Sequence, residues 1–221
     1  MKKTIAILCM AVVASGCPAQ SLLSFYAKAG IGTSRFHGKG ANSETKIACK
    51  AGIGAEYALN RTWVVQSALE FVSIGGQDEI GHIHDARMNE LYLQVPVTLA
   101  ARLHLDKNYH ASLAAGPYAA IGVGGTTSGE IYSPTSSHPA SRFKTGTFGK
   151  MIDGKMGNNR FDAGIVVNIA LEYKRFEFGA EAQVGLVTVN RQMNRLPELS
   201  GAREYLPKNF ASFFTLGYRF R

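Results

Sequence analysis

The strongest constraint on this chain is a hydrophobic period of two, repeated along its length and clearest at the C-terminal end. In residues 209–221, Phe210, Ser212, Phe214, Leu216, Tyr218 and Phe220 fall on one face. Ala211, Phe213, Thr215, Gly217 and Arg219 fall on the other. That spacing is the spacing of a β-strand, not of a helix. A second stretch shows it just as plainly. Leu91, Leu93, Val95, Val97, Leu99, Ala101 and Leu103 share one face; Tyr92, Gln94, Pro96, Thr98, Ala100, Arg102 and His104 share the other. The same alternation marks strands at residues 24–36, 45–57, 63–73, 87–105, 109–124, 161–173, 176–189 and 209–221. Each meets the length of about 9–11 residues that a tilted strand needs to cross a bilayer.

Eight strands are an even number, and the lengths of their connections alternate. Residues 60–62, 106–108 and 174–175 are short links, whereas 38–44, 75–86, 126–160 and 190–208 are long. Short periplasmic turns alternating with long external loops are the pattern of outer-membrane barrels. The expected fold is therefore all-β: an eight-stranded antiparallel up-and-down transmembrane β-barrel with both termini in the periplasm. Tyr57, Trp63, Tyr109, Tyr173, Phe176, Tyr218 and Phe220 gather at the short-turn ends. They form an aromatic girdle at one bilayer interface. Pro96 and Pro117 lie inside strands and cannot donate to a ladder, so each should mark a bulge or a break.

The N-terminus agrees with export. Lys2 and Lys3 precede an apolar run over residues 5–14 and then small residues. The run is too short to span a bilayer as a helix and reads as a cleaved signal peptide. The favoured cleavage is after Ala19, giving a signal peptide at 1–19 and a barrel domain at 20–221. Ala14-Ser15-Gly16-Cys17 offers a lipobox-like alternative that would leave Cys17 lipidated. Of the three cysteines, cleavage after Ala19 leaves only Cys49, so no internal disulfide forms.

Alternation sends Lys28, Lys46, Lys50, Arg102 and Arg219 inward, together with Glu56, Glu70, Asp162, Glu172, Glu177 and Glu181. An eight-stranded barrel is only wide enough for side chains to fill. Such charges are tolerable there only when paired and hydrogen-bonded. The expectation is a plugged lumen with a salt-bridge network.

The formal net charge is +8, but Lys and Arg are spread thinly and no basic helix or basic-aromatic patch appears. Nucleic acid is thereby excluded as a partner. A basic outer surface facing anionic lipid and lipopolysaccharide is the better reading. Candidate chemistry is sparse. His82, His84 and Asp85, with Asp78 and Glu79 nearby, are of residue types that suit a metal. With Ser73 they also sit where an outer-rim hydrolase would carry its groups, but no spacing motif supports a triad. Gly122-Val123-Gly124-Gly125 lacks the following helix that a phosphate loop needs. No catalytic, cofactor-binding or metal site is assigned, and the chain is expected not to be an enzyme.

Leu91-Tyr92-Leu93-Gln94-Val95-Pro96 resembles the Tyr-Leu-x-Ile-Pro signature of the PorT-like outer-membrane β-barrel family of Bacteroidetes-type bacteria. Ala115-Gly116-Pro117-Tyr118 resembles the Gly-Pro-Tyr of its next strand, and Gly217-Tyr218-Arg219-Phe220 its terminal strand. The chain departs from the pattern by one residue, Arg221, after the terminal aromatic. The resemblance implies an outer-membrane barrel, and one branch of the family is associated with protein secretion. Three readings follow. The first is a small non-enzymatic barrel whose long loops serve surface interaction or adhesion, touching protein or host-surface partners. The second is a component of a secretion or assembly machinery, and the third an outer-membrane hydrolase. In each, the C-terminal strand would address the barrel assembly machinery.

Overall fold

The computed structural model describes residues 22–41, 43–80, 83–132, 139–192 and 204–220. The signal peptide at 1–19, the lipobox at Cys17, and His82 all lie outside the described residues. Ten strands follow one another. They are β1 (Leu23–Lys39), β2 (Lys46–Ala58), β3 (Trp63–Ile80), β4 (Ile83–His104), β5 (Tyr109–Gly124), β6 (Thr126–Tyr132), β7 (Pro139–Gly146), β8 (Phe161–Tyr173), β9 (Phe176–Gly185) and β10 (Leu206–Arg219).

Eight of these close a ring in the order β1-β2-β3-β4-β5-β8-β9-β10, with β10 pairing back onto β1. Every pairing in the ring is antiparallel. Closure runs from Tyr26 opposite Arg219 to Lys39 opposite Leu206, so the terminal strand is sealed along its whole length. No unpaired edge remains in the ring, which removes the template for strand addition that an open sheet would expose.

The two-residue period decides which face is which. In β10, Phe214 is 78% exposed and its neighbour Phe213 only 3%. Ile31, Ile53, Phe71, Leu103, Leu113, Ile169 and Phe178 are exposed in the same way. Their shared outward face is an apolar band that only a bilayer covers. All seven girdle aromatics lie at the short-turn ends, and Tyr109–Tyr173 and Phe176–Tyr218 make ring contacts there.

Three expectations need correction. Residues 126–160 are not simply a loop. They contain the β6–β7 hairpin, whose β6 strand pairs with the upper part of β4, Ile83 opposite Ile131 and Met88 opposite Thr127. The hairpin escapes a search for membrane-length strands because each arm is short and because its cross-strand pair is charged: Glu130 lies opposite Arg142. Strands β3 and β4 also run further than expected, to Ile80 and from Ile83, because their upper ends pair with each other and with β6 instead of facing lipid. Conversely β9 stops at Gly185, and Thr188 and Val189 turn inward and are buried.

The prolines interrupt the ladder without shifting it. β4 pairs with β5 through Pro96–Tyr118 and resumes at Leu99–Ala115 in the same register. The Pro96 carbonyl accepts from Ser67 Oγ at 3.0 Å, a side-chain bond across to β3. Register shifts occur instead at Asp78/Ile80 and Leu91/Tyr92. The expected break is present and the expected bulge is not.

Two larger hydrophobic cores result, beside a small cluster of Val64, Ala100 and Ala114. One fills the middle of the barrel, with Val72, Tyr92, Tyr118, Phe148, Val166 and Phe213. The other lies at the long-loop end, with Phe36, Ala86, Met88, Met156, Val189 and Tyr205. The external segments are therefore packed into a lobe.

Candidate functional site: the barrel interior and the external lobe

The interior is built in layers, starting at the short-turn end. Glu56, Arg102, Glu172 and Arg219 come from β2, β4, β8 and β10, every second strand of the ring. Arg102 reaches Glu56 at 2.8 Å and Glu172 at 3.0 Å. Arg219 reaches the same two carboxylates at 2.8 and 3.0 Å. Alternation dictates this, because alternate strands place their inward side chains at the same height. The next layer pairs Lys28 with Glu177 at 3.2 Å, and Lys50 with both Glu70 at 2.8 Å and Glu181 at 2.6 Å. Gln94 donates to Glu70, and Gln183 donates to Glu181. Nine of the inward charges expected from sequence thus sit in pairs. Asp162 is satisfied differently, accepting from Tyr118 Oη at 3.2 Å and Asn209 Nδ2 at 3.1 Å.

Above the charges lies an aromatic layer. Tyr92 and Phe148 meet edge to face with centroids 5.3 Å apart, and the Lys50 ammonium lies 5.6 Å from the Phe213 ring. Phe148 does not belong to any strand of the barrel. It enters from the segment after β7, and Gly122 makes room for it: a Cβ at Gly122 would lie 2.4 Å from the Phe148 ring. Higher still is a polar layer. Asn158 donates to Glu90 at 2.7 Å, Asn190 donates to Asn158 Oδ1 at 3.0 Å, and Thr147 Oγ1 donates to the Asn89 carbonyl at 2.8 Å.

Sequence reasoning missed Glu90, Phe148, Asn158 and Asn190, all of them buried. Glu90 was accessible, since it continues the even-numbered face that holds Tyr92, Gln94 and Arg102. Phe148 and the two asparagines carry no periodic signal, because they arrive from irregular segments.

Of the residues singled out for chemistry, Ser73, Asp78 and Asp85 are not brought together, and the side chains of Glu79, His82 and His84 lie outside the described residues. Asp78 is buried and accepts from Tyr205 Oη at 3.0 Å. Burial, and then the Asp78 carboxylate, push the Tyr205 phenol well above its ordinary range, so it stays a donor. Asp85 is exposed and accepts from Gln77 Nε2 at 2.9 Å. Ser73 pairs with Leu91, six residues along β4 from Asp85, a separation of roughly 20 Å at the rise of a strand. Among the described residues no group of three or more His, Cys, Asp or Glu is arranged to hold a metal. Gly122 and Gly124 lie in β5, and a strand rather than a helix follows them. Cys49 is a free cysteine on the outward face.

The external lobe is the other candidate. It displays exposed Arg35, Arg87, Arg142, Lys144, Lys150 and Lys155 over the outer core. These cations stand on paired strands and on the segment anchored by Phe148 and Asn158.

The sequence matches the family model for the outer membrane protein beta-barrel domain over residues 18–189. A comparison with curated proteins finds no match. Several solved structures resemble the chain at low identity. Ail, the attachment invasion locus protein of Yersinia pestis, is 13% identical with a TM-score of 0.41, covering 89% of this chain and 98% of its own. Neisserial surface protein A is 11% identical with a TM-score of 0.43, covering 89% and 97%. The N-terminal β-barrel domain of Pseudomonas aeruginosa OprF is 12% identical with a TM-score of 0.35, covering 89% and 97%. The family match spans most of the chain and agrees with the closed eight-stranded ring and its apolar outer band: the chain belongs to the outer membrane protein beta-barrel domain family and resides in the cell outer membrane.

Proposed function

We propose that this is a small non-enzymatic barrel with a plugged lumen, whose external lobe serves surface interaction or adhesion towards an anionic partner. The observation that carries the reading is the division of labour between the two ends. Layer after layer of side chains occupies the interior, with Phe148 inserted from an external segment. The external strands carry a core of their own beneath a basic surface. Binding surfaces usually stand on loops held by a rigid scaffold. Cations raised on paired strands suit lipopolysaccharide phosphates or an acidic polysaccharide. The finer resemblance to the PorT-like family rests on the Leu91–Pro96 and Ala115–Tyr118 motifs, and a secretion role within it has no further residue to support it.

The test is capture of proteoliposomes on dextran sulfate against neutral dextran. The comparison variant is R35Q/R87Q/R142Q/K144Q/K150Q/K155Q, which discharges the exposed cations of the lobe and leaves Phe148 and Asn158 in place. Capture on dextran sulfate should be lost while the barrel keeps its heat-modifiable mobility in gel electrophoresis. Equal capture of the discharged variant and the wild type would contradict the proposal.

A further inference from the structure

At the opposite end of the barrel the structure holds a hollow of about 850 Å³ that the surface-binding reading does not use. It opens where the β4–β5 turn, the β8–β9 turn and the end of β10 meet. The frame is stitched by backbone hydrogen bonds. Lys174 N–H donates to the Asn108 carbonyl at 2.9 Å, and Arg219 N–H donates to the Arg175 carbonyl at 2.8 Å. Lys107, Lys174 and Arg175 line it from the two turns. All three are exposed, and among the described residues none makes an ion pair with a carboxylate. Asp106 is the one acid within the two turns. The carboxylates below are already taken: Glu172 by Arg102 and Arg219, Glu177 by Lys28.

Asn108, His110 and the paired Arg219 line its inner side, and the outer side is girdle. Tyr173, Tyr218 and Phe220 contribute, with the Lys174 ammonium 5.2 Å from the Tyr173 ring and Arg175 Nη1 donating to Tyr218 Oη at 3.2 Å. Unpaired cations directly beside interfacial aromatics match one chemistry: a phosphate held at headgroup depth with its glycerol and acyl chains against the rings. A soluble polyanion would need the cations and would leave the exposed rings unused.

We infer that the hollow is a site for an anionic phospholipid headgroup of the periplasmic leaflet, with Lys107, Lys174 and Arg175 on its phosphate.

The test is native mass spectrometry of the mature protein released from nanodiscs of phosphatidylethanolamine containing phosphatidylglycerol. The wild type should retain phosphatidylglycerol in preference to phosphatidylethanolamine. In K107Q/K174Q/R175Q that preference should fall by about tenfold or more, since each surface cation near anionic lipid contributes severalfold. The charge-matched control R142Q/K144Q/K150Q, in the external lobe, should keep it. Circular dichroism and heat-modifiable mobility establish that each variant is folded. Undiminished preference in the triple variant, or an equal loss in the control, overturns the site. Displacement of the lipid by an equal concentration of inorganic phosphate also overturns it, since the rings would then contribute nothing.

Discussion

Lys50 Nζ lies 2.6 Å from Glu181 Oε1, joining β2 to β9 across the barrel while the same ammonium holds Glu70 at 2.8 Å. One cation therefore satisfies two buried carboxylates from two walls. Replacing it by K50M strands both acids. The expected loss is about 3–5 kcal/mol, the usual cost of breaking a buried pair, read from urea unfolding in detergent. The triple variant K50M/E70Q/E181Q should recover much of that loss, because no uncompensated charge remains. A mild K50M paired with a poor triple variant would show that the Lys50 stem matters through packing and not through charge.

Leu216 and Thr215 test the assignment of faces in the closing strand. Leu216 is 51% exposed and Thr215 only 5%. L216R should cost about 2–4 kcal/mol if the site lies near the bilayer midplane, measured by reversible unfolding from lipid vesicles. T215S, which keeps the hydroxyl and loses one buried methyl, should cost only about 1 kcal/mol. Larger residues should not be tolerated, because Thr215 is wedged between two glycines: a Cβ at Gly30 would meet its Cγ2 at 3.1 Å, and one at Gly179 its Oγ1 at 2.7 Å.

Phe148 and Gly122 form a knob and its socket. F148A removes a buried ring and should destabilise by about 3–5 kcal/mol. G122V should produce a comparable loss by a different route, since its side chain would occupy the space of the ring. Thermal melts in detergent separate these effects. The double variant F148A/G122V should be more stable than the sum of the two single losses predicts, because each change relieves the other.

Trp63 is the chain's single tryptophan and stands in the girdle, 43% exposed. Its fluorescence should be quenched more strongly by lipids brominated near the headgroup than by lipids brominated near the chain ends. Stronger quenching from the chain ends would move the short-turn end away from the interface.

The fold was legible where lipid imposes it. Facing a bilayer forces strict alternation, so β5 and β8 follow from sequence at their observed ends, and Arg219 was placed inward towards its acidic partners. Legibility ends where the chain leaves the membrane. Above Phe71 and Leu91 the alternating residues pack against protein, so Asp78 looks like a loop acid although it is buried, and Glu90, on the inward face of an expected strand, is buried as well. The β6–β7 hairpin has short arms and a charged cross-strand pair. Phe148 and Asn158 sit in irregular backbone, and their positions follow from the tertiary contacts of Gly122 and Glu90 and from no local period. The hollow at the short-turn end was half visible. Its aromatics read as a girdle, whereas the meeting of Lys107 with Lys174 and Arg175 depends on β5 and β8 being neighbours.

The central claim is that side chains fill this barrel from one end to the other, and planar-bilayer recording of the purified wild-type protein tests it most directly. The account predicts a membrane that stays electrically silent apart from brief openings. Stable conductance of porin size would contradict it.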